Sequence, residues 1–114
     1  MVSRYVPQRG DAVWLDFDPQ RGREPAKRRP AFVISPKSYN QKVGLFLICP
    51  VTSKKKGYPF EVEIPNGFSV SGVILSDQIK SMDWKARNTA FICSLPRSVI
   101  QQVLEKAKTL LSEL

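Results

Sequence analysis

Glu24 is the single anion of the segment Gln20 to Arg29, where it is surrounded by Arg21, Arg23, Lys27, Arg28 and Arg29. Cations at close range favour the charged form of a carboxyl, so Glu24 is expected to be ionised at neutral pH and able to accept a proton. Charge runs in loops are commonly solvated, and a Glu24 that merely balances its neighbours is the plain alternative. Arg29 stands just before Pro30, whose fixed φ would hold one guanidinium steady while the loop around it moves. Thr52 or Ser53, at the end of an apolar run, offers a hydroxyl that can hydrogen-bond a phosphate oxygen, although either is also an ordinary strand-end residue. Such a set suits RNA phosphodiester cleavage, because there the nucleophile belongs to the substrate. A carboxylate takes the 2′-hydroxyl proton, a guanidinium meets the charge developing on the phosphorane, and a second donor assists the leaving oxygen. Histidine is absent altogether. That excludes a two-histidine ribonuclease mechanism, a Ser-His-Asp triad and any metal site that depends on imidazole. There is also no Gly-x-x-x-x-Gly-Lys loop, no Gly-x-Gly-x-x-Gly and no Cys-x-x-Cys, so neither cofactor nor metal is expected.

The charge distribution points to the same class of partner. Residues 1–60 hold 12 Lys plus Arg against 4 Asp plus Glu, whereas residues 61–114 hold 6 of each, so the net charge of +8 arises entirely in the first half. A one-sided basic balance without a basic amphipathic helix favours nucleic acid over membrane, against the alternative of a solubilising surface. Basic residues interleave with aromatics twice: Lys54, Lys55 and Lys56 beside Tyr58 and Phe60, and Lys80, Lys85 and Arg87 around Trp84. That pattern suits single-stranded nucleic acid, whose bases stack on rings while phosphates meet cations. Trp14 and Trp84 themselves are read as core or interface residues rather than stacking platforms.

The elements that must position these groups are mostly short strands. Ala12–Phe17 places Val13, Leu15 and Phe17 on one face at period two. The polar segment Gln20–Arg29 reads as a mobile loop of functional length. Pro30 starts a second strand, Ala31–Ile34, whose unbroken apolar run implies burial on both faces. A helical piece around Ser38–Asn40 leads by Gly44 into Leu45–Cys49 and Pro50–Ser53, and Lys54–Gly57 forms a charged turn. Phe60–Ile64 alternates as a half-exposed strand should, and Gly72–Leu75 and Ala90–Cys93 add two more, with the polar stretch Ser76–Lys80 between them. Only Val99 to Leu114 has a helical period, with Ser94 as its N-cap and Pro96 in its first turn. The expected architecture is mainly β, a small, partly open antiparallel barrel closed by a C-terminal α-helix.

A chain of 114 residues is read as one domain, 1–114, large enough for a single core. No apolar run approaches a membrane span, and Met1–Asp11 lacks the apolar stretch of a signal peptide, so a cytoplasmic location is expected. Cys49 and Cys93 lie in apolar runs and read as inert core thiols.

Taken in order, Gly10-Asp11, Asp16-Phe17-Asp18-Pro19, Gly22-x-Glu24, Arg29-Pro30-Ala31, Ser35-Pro36, Tyr39-Asn40, Lys56-Gly57-Tyr58-Pro59-Phe60-Glu61-Val62 and Asp77-Gln78-x-Lys80-Ser81 resemble the MazF/PemK family of toxin endoribonucleases. The resemblance covers nearly the whole chain. It implies a homodimeric, SH3-like barrel of the PemK/CcdB type that cleaves single-stranded RNA without metal, leaving a 2′,3′-cyclic phosphate and a 5′-hydroxyl. It further implies a catalytic Arg29, a loop Glu24 and a strand-end Thr52, RNA contacts at Lys56, Lys80 and Arg87, and an acidic, partly disordered antitoxin as partner. Arg28, at a position that is histidine in some members, is counted with the RNA-binding cations, and Arg23-Glu24-Pro25 departs from the family's usual small polar residue followed by Glu-Gln. A CcdB-like gyrase-poisoning toxin is similar in fold but has a tryptophan close to the chain end, whereas the last one here is Trp84. A non-catalytic nucleic-acid-binding barrel is the third class, separable by incubation with labelled RNA.

Overall fold

The computed structural model describes residues 5–17 and 27–112. Among them are seven strands and two helices: β1 (Asp11–Asp16), β2 (Arg28–Val33), α1 (Lys37–Val43), β3 (Leu45–Thr52), β4 (Glu61–Glu63), β5 (Val73–Leu75), β6 (Lys80–Asp83), β7 (Ala90–Ser94) and α2 (Arg97–Thr109). The sheet runs β4-β5-β3-β2-β1-β7 with every pairing antiparallel, and β6 joins β3 beside β5. No pairing joins β4 to β7 among the described residues, so the barrel stays open.

β3 is the longest strand and the hub. Its first half, Leu45–Ile48, pairs with β6, its end, Val51–Thr52, pairs with β5, and β2 lies along its other edge. The apolar run of β2 is buried on both faces, as its unbroken pattern implies. Phe32 packs with Cys49, Val51, Ile74, Val99 and Val103 beneath α2, while Ala31 and Val33 pack with Val13, Leu15, Phe46, Ile48 and Trp84 on the opposite side. Val99, Val103 and Ala107, four apart on one stripe, are the buried residues of α2.

Several boundaries differ from the sequence pattern. β2 begins at Arg28, not at Pro30, because its ladder with β1 extends to the pair Asp16 and Arg28. The Phe17 N–H donates to the Lys27 carbonyl at 2.8 Å and the Ile34 N–H to the Leu47 carbonyl at 2.9 Å. Alternation from those bonds turns the nitrogen of Pro30 toward β3, where a ladder ending at Ala31 and Pro50 asks no donor of it. β6 reads in the sequence as part of a polar connection, since Lys80, Ser81 and Asp83 are exposed and only Met82 is buried. Its strand form comes from pairing with β3. Ser94 does not cap α2; it ends β7, Leu95 extends the strand by donating to the Gly10 carbonyl at 2.9 Å, and Pro96 takes the N-cap position with no side-chain cap. The helix stops at Thr109, leaving Leu110 and Leu111 exposed.

A buried polar knot joins the segment before β1 to α1 and to Trp84, just after β6. The Asn40 amide donates to the carbonyls of Pro7 at 2.8 Å and Ser35 at 3.1 Å and accepts from the Ser35 hydroxyl, while the Trp84 indole donates to the Asn40 carbonyl at 2.8 Å. Each buried group has its partner, and removing the amide strands three of them. Asn40→Ala is therefore expected to cost about 3 kcal/mol, read as a lower urea midpoint at unchanged slope.

Candidate functional site

β1 and β2 end together, and their alternation sorts the two arginines onto opposite faces. Arg29 lies across from Leu15, on the face of Ala31 and Val33; Arg28 lies across from Asp16, on the face that carries Trp14. The β2–β3 register, Phe32 to Cys49 and Ala31 to Pro50, continued by two residues runs toward Arg29 and Thr52. The exposed end of β2 and the end of β3 thus bring a guanidinium and a hydroxyl to one face. Ile48 belongs to that face too, and its β6 partner is Lys80.

Beyond Thr52 the chain turns through Lys54–Gly57. Thr52, Lys54, Lys56, Tyr58, Glu61, Leu75 and Gln78 line a cleft of about 160 Å³. The Thr52 Oγ1 accepts the Lys54 N–H at 3.1 Å, so its own proton can be donated outward to a phosphate oxygen. Tyr58 donates to Asp77 at 2.8 Å, and that hydrogen bond, ahead of burial, raises its pKa and keeps the phenol protonated. Gly72 packs against the backbone of Thr52. Its φ of +112° is left-handed, and a Cβ there would lie 2.3 Å from the Thr52 carbonyl oxygen, so any larger residue would displace Thr52.

Of the residues the sequence singles out, the structure brings Thr52 and Lys56 into one cleft and sets Arg29 and Lys80 on the adjoining strands. Arg28 and Arg87 are placed elsewhere. Arg28 pairs with Asp16 at 3.1 Å, and Arg87 Nη1 donates to the carbonyls of Asp16 and Phe17. Asn88, at a left-handed φ of 53°, donates to the other Asp16 oxygen at 2.8 Å. That bond, with the Arg28 charge beside it, holds the Asp16 carboxyl below the usual carboxylate range. These bonds anchor the end of β1. Glu24, with the greater part of the expected mobile loop, lies outside the described residues.

The three lysines of the turn are not equivalent, although their run looks uniform. Lys55 pairs with Glu63 at 3.1 Å, and only Lys54 and Lys56 line the cleft. Glu61 and Gln78, which also line the cleft, stand within the motifs that carry the family resemblance, which implies no role for either. The only local signal for Glu61 is its place in Lys56-Gly57-Tyr58-Pro59-Phe60-Glu61-Val62, where alternation marks it as an outward strand position.

The tryptophans separate as well. Trp84 is 8% exposed, with the Lys85 ammonium 5.4 Å from its ring centre, whereas Trp14 is 43% exposed. Cys49 is buried, and burial, with Asp77 adding to it, pushes its thiol up to about 12; Cys93 is half-buried. Among the described residues no three His, Cys, Asp or Glu side chains gather as metal ligands, and no helix is long and apolar enough to cross a membrane.

Residues 8–111 match the family described as PemK-like, MazF-like toxin of type II toxin–antitoxin system. The chain is 46% identical over 111 residues to the endoribonuclease toxin MazF of Escherichia coli strain K12, covering 97% of this chain and 99% of that protein. It is 33% identical over 110 residues to the endoribonuclease toxin ChpB of the same strain, covering 91% and 93%. The crystal structure of MazE-MazF from Deinococcus radiodurans superposes with a TM-score of 0.89 at 48% identity, covering 95% of this chain and 97% of that one.

Proposed function

Since the chain belongs to the PemK-like, MazF-like toxins of type II toxin–antitoxin systems and is an endoribonuclease toxin of that kind, we propose that it cuts single-stranded RNA at the face shared by Arg29 and Thr52. The observation that carries this reading is the strand register. Continued two residues past the Ala31–Pro50 pair, it puts Arg29 and Thr52 on one face, beside the cleft that Thr52 lines with Lys56, with Lys80 on the neighbouring strand. Arg29 and Thr52 would meet one phosphodiester there, with Lys56 and Lys80 to its sides, and none of these groups is itself a nucleophile activated by a base. The attacking oxygen is then the substrate's 2′-hydroxyl. Glu24 takes its proton, the 2′-oxygen bonds to phosphorus, and the bond from phosphorus to the 5′-oxygen breaks as that oxygen takes a proton from water, giving a 2′,3′-cyclic phosphate and a 5′-hydroxyl. Arg29 stabilises the two phosphorane oxygens, and Thr52 adds a neutral hydrogen bond to one of them. Lys56 and Lys80 hold the strand on either side. Arg28 and Arg87 contribute to binding chiefly through the end of β1 that they brace.

An acidic antitoxin segment fits the same face. The +8 net charge gives such a segment a fast, steered approach, and a chain that folds on binding can cover the Thr52 cleft. The open sheet edges favour a homodimer. Primer extension on a long natural RNA tests the whole reading: discrete cut sites with 5′-hydroxyl ends are expected, made by a species of twice the 12.9 kDa chain mass and suppressed by the acidic partner. An intact RNA after prolonged incubation would sink it.

A further inference from the structure

The turn that presents Lys56 holds three consecutive ammonium groups, and on charge alone it would relax outward. Two carboxylates of β4 oppose that, Glu63 by pairing with Lys55 and Glu61 through the backbone. Glu61 Oε2 accepts the Lys56 N–H at 2.9 Å and Oε1 accepts the Gly57 N–H at 2.9 Å, so two successive backbone donors close on one anion. Gly57 turns the chain at a left-handed φ of +82°, with open space where a Cβ would stand, so its backbone conformation rather than its size is what the turn uses. Glu61 itself opens β4, and its N–H donates to the Tyr58 carbonyl at 3.1 Å. Its carboxylate therefore projects from a fixed strand, not from the turn it holds.

We propose that Glu61 is a positioning residue for RNA binding, whose carboxylate keeps the Lys54–Gly57 turn in the shape that aims Lys56 into the Thr52 cleft. This rests on the endoribonuclease reading above and adds a group that acts through the backbone of the turn, both of its carboxylate oxygens being taken by the Lys56 and Gly57 N–H groups. The two acids of β4 divide the work: Glu63 draws Lys55 into a pair, and Glu61 binds the backbone of Lys56 while leaving its ammonium to the cleft. Glutamine at position 61 keeps the size but sets an NH₂ against one of the two N–H donors.

The experiment is steady-state cleavage of a short RNA carrying one mapped site, with thermal melting of each variant alongside. Glu61→Gln should raise KM about tenfold, the loss of one charge-assisted hydrogen bond, with kcat nearly unchanged and melting retained. Lys56→Ala should also raise KM, and the double variant should be no worse than Lys56→Ala alone, because both changes remove the same aimed ammonium. An unchanged KM, or effects that multiply in the double variant, would overturn the proposal. If Glu61→Gln does not fold, the Lys56 and Gly57 amide proton shifts of the unsubstituted protein decide the matter. Titrating together with one carboxylate in acid supports the role, and indifference to that titration overturns it. Failure of the unsubstituted chain to cut RNA is a separate result that removes the function and leaves the amide measurement to judge Glu61.

Discussion

Arg29→Ala is expected to slow RNA cleavage by at least about 100-fold while RNA affinity falls far less, the signature of a group that acts chiefly on the transition state. The magnitude is that of removing one donor from a site where charge develops, ~3 kcal/mol. The split between rate and affinity follows from the placement of the other cations, because Lys54 and Lys56 in the cleft and Lys80 on β6 still meet the ground-state phosphates. Lysine at position 29 should rescue poorly, since a point charge cannot present two parallel donors to two phosphate oxygens. The neighbouring Arg28 is the informative contrast. It lies on the opposite face of β2 and pairs with Asp16, so Arg28→Ala should cost much less. Single-turnover rates and equilibrium binding of an uncleavable RNA, measured for the two variants together, check this. Equal losses of rate in both would mean that the alternation along β2 does not set the chemistry.

A single 2′-deoxynucleotide on the 5′ side of the cut should abolish cleavage at that site. Without the 2′-hydroxyl there is no nucleophile, and among the described residues the Thr52 cleft offers no substitute: the Tyr58 phenol is held protonated by its hydrogen bond to Asp77, and the Thr52 hydroxyl's partner is the Lys54 N–H, a donor. Binding should survive almost intact, because the phosphates that meet Lys56 and Lys80 are unchanged. Addition of EDTA should leave cleavage of the all-ribose substrate unaffected, since the proposed charge stabilisation comes from a guanidinium. Gel analysis of matched ribose and deoxyribose oligonucleotides reads both outcomes. A cut at the deoxy position, or activity lost to EDTA, would replace this mechanism while leaving the family unchanged.

What could be read along the chain was whatever depends on local periodicity and residue type. The period-two face of Val13 and Leu15, the two-sided burial of Ala31 and Val33 against Phe32, and the apolar stripe of Val99, Val103 and Ala107 are written in the order of side chains, and the structure bears each out. The lack of histidine limited the chemistry before any strand was placed, and the ordered motifs led to the family. Those signals need no knowledge of what lies across a strand.

The remaining features depend on partners distant in the chain. β6 has the composition of a loop and is a strand because Leu45–Ile48 offers it an unpaired edge; β2 begins at Arg28 because β1 is there to extend the ladder. Arg28 and Arg29 look alike in sequence, yet pleating sends one to an ion pair with Asp16 and the other to the opposite face, that of Ala31 and Val33. Lys55 and Lys56 look alike too, and they are told apart only by the two acids of β4 that the turn brings beside them. Charge and residue type are local properties, whereas which charge faces the cleft is set by strand register and by hydrogen bonds across it, and these exist only once the strands have assembled around β3.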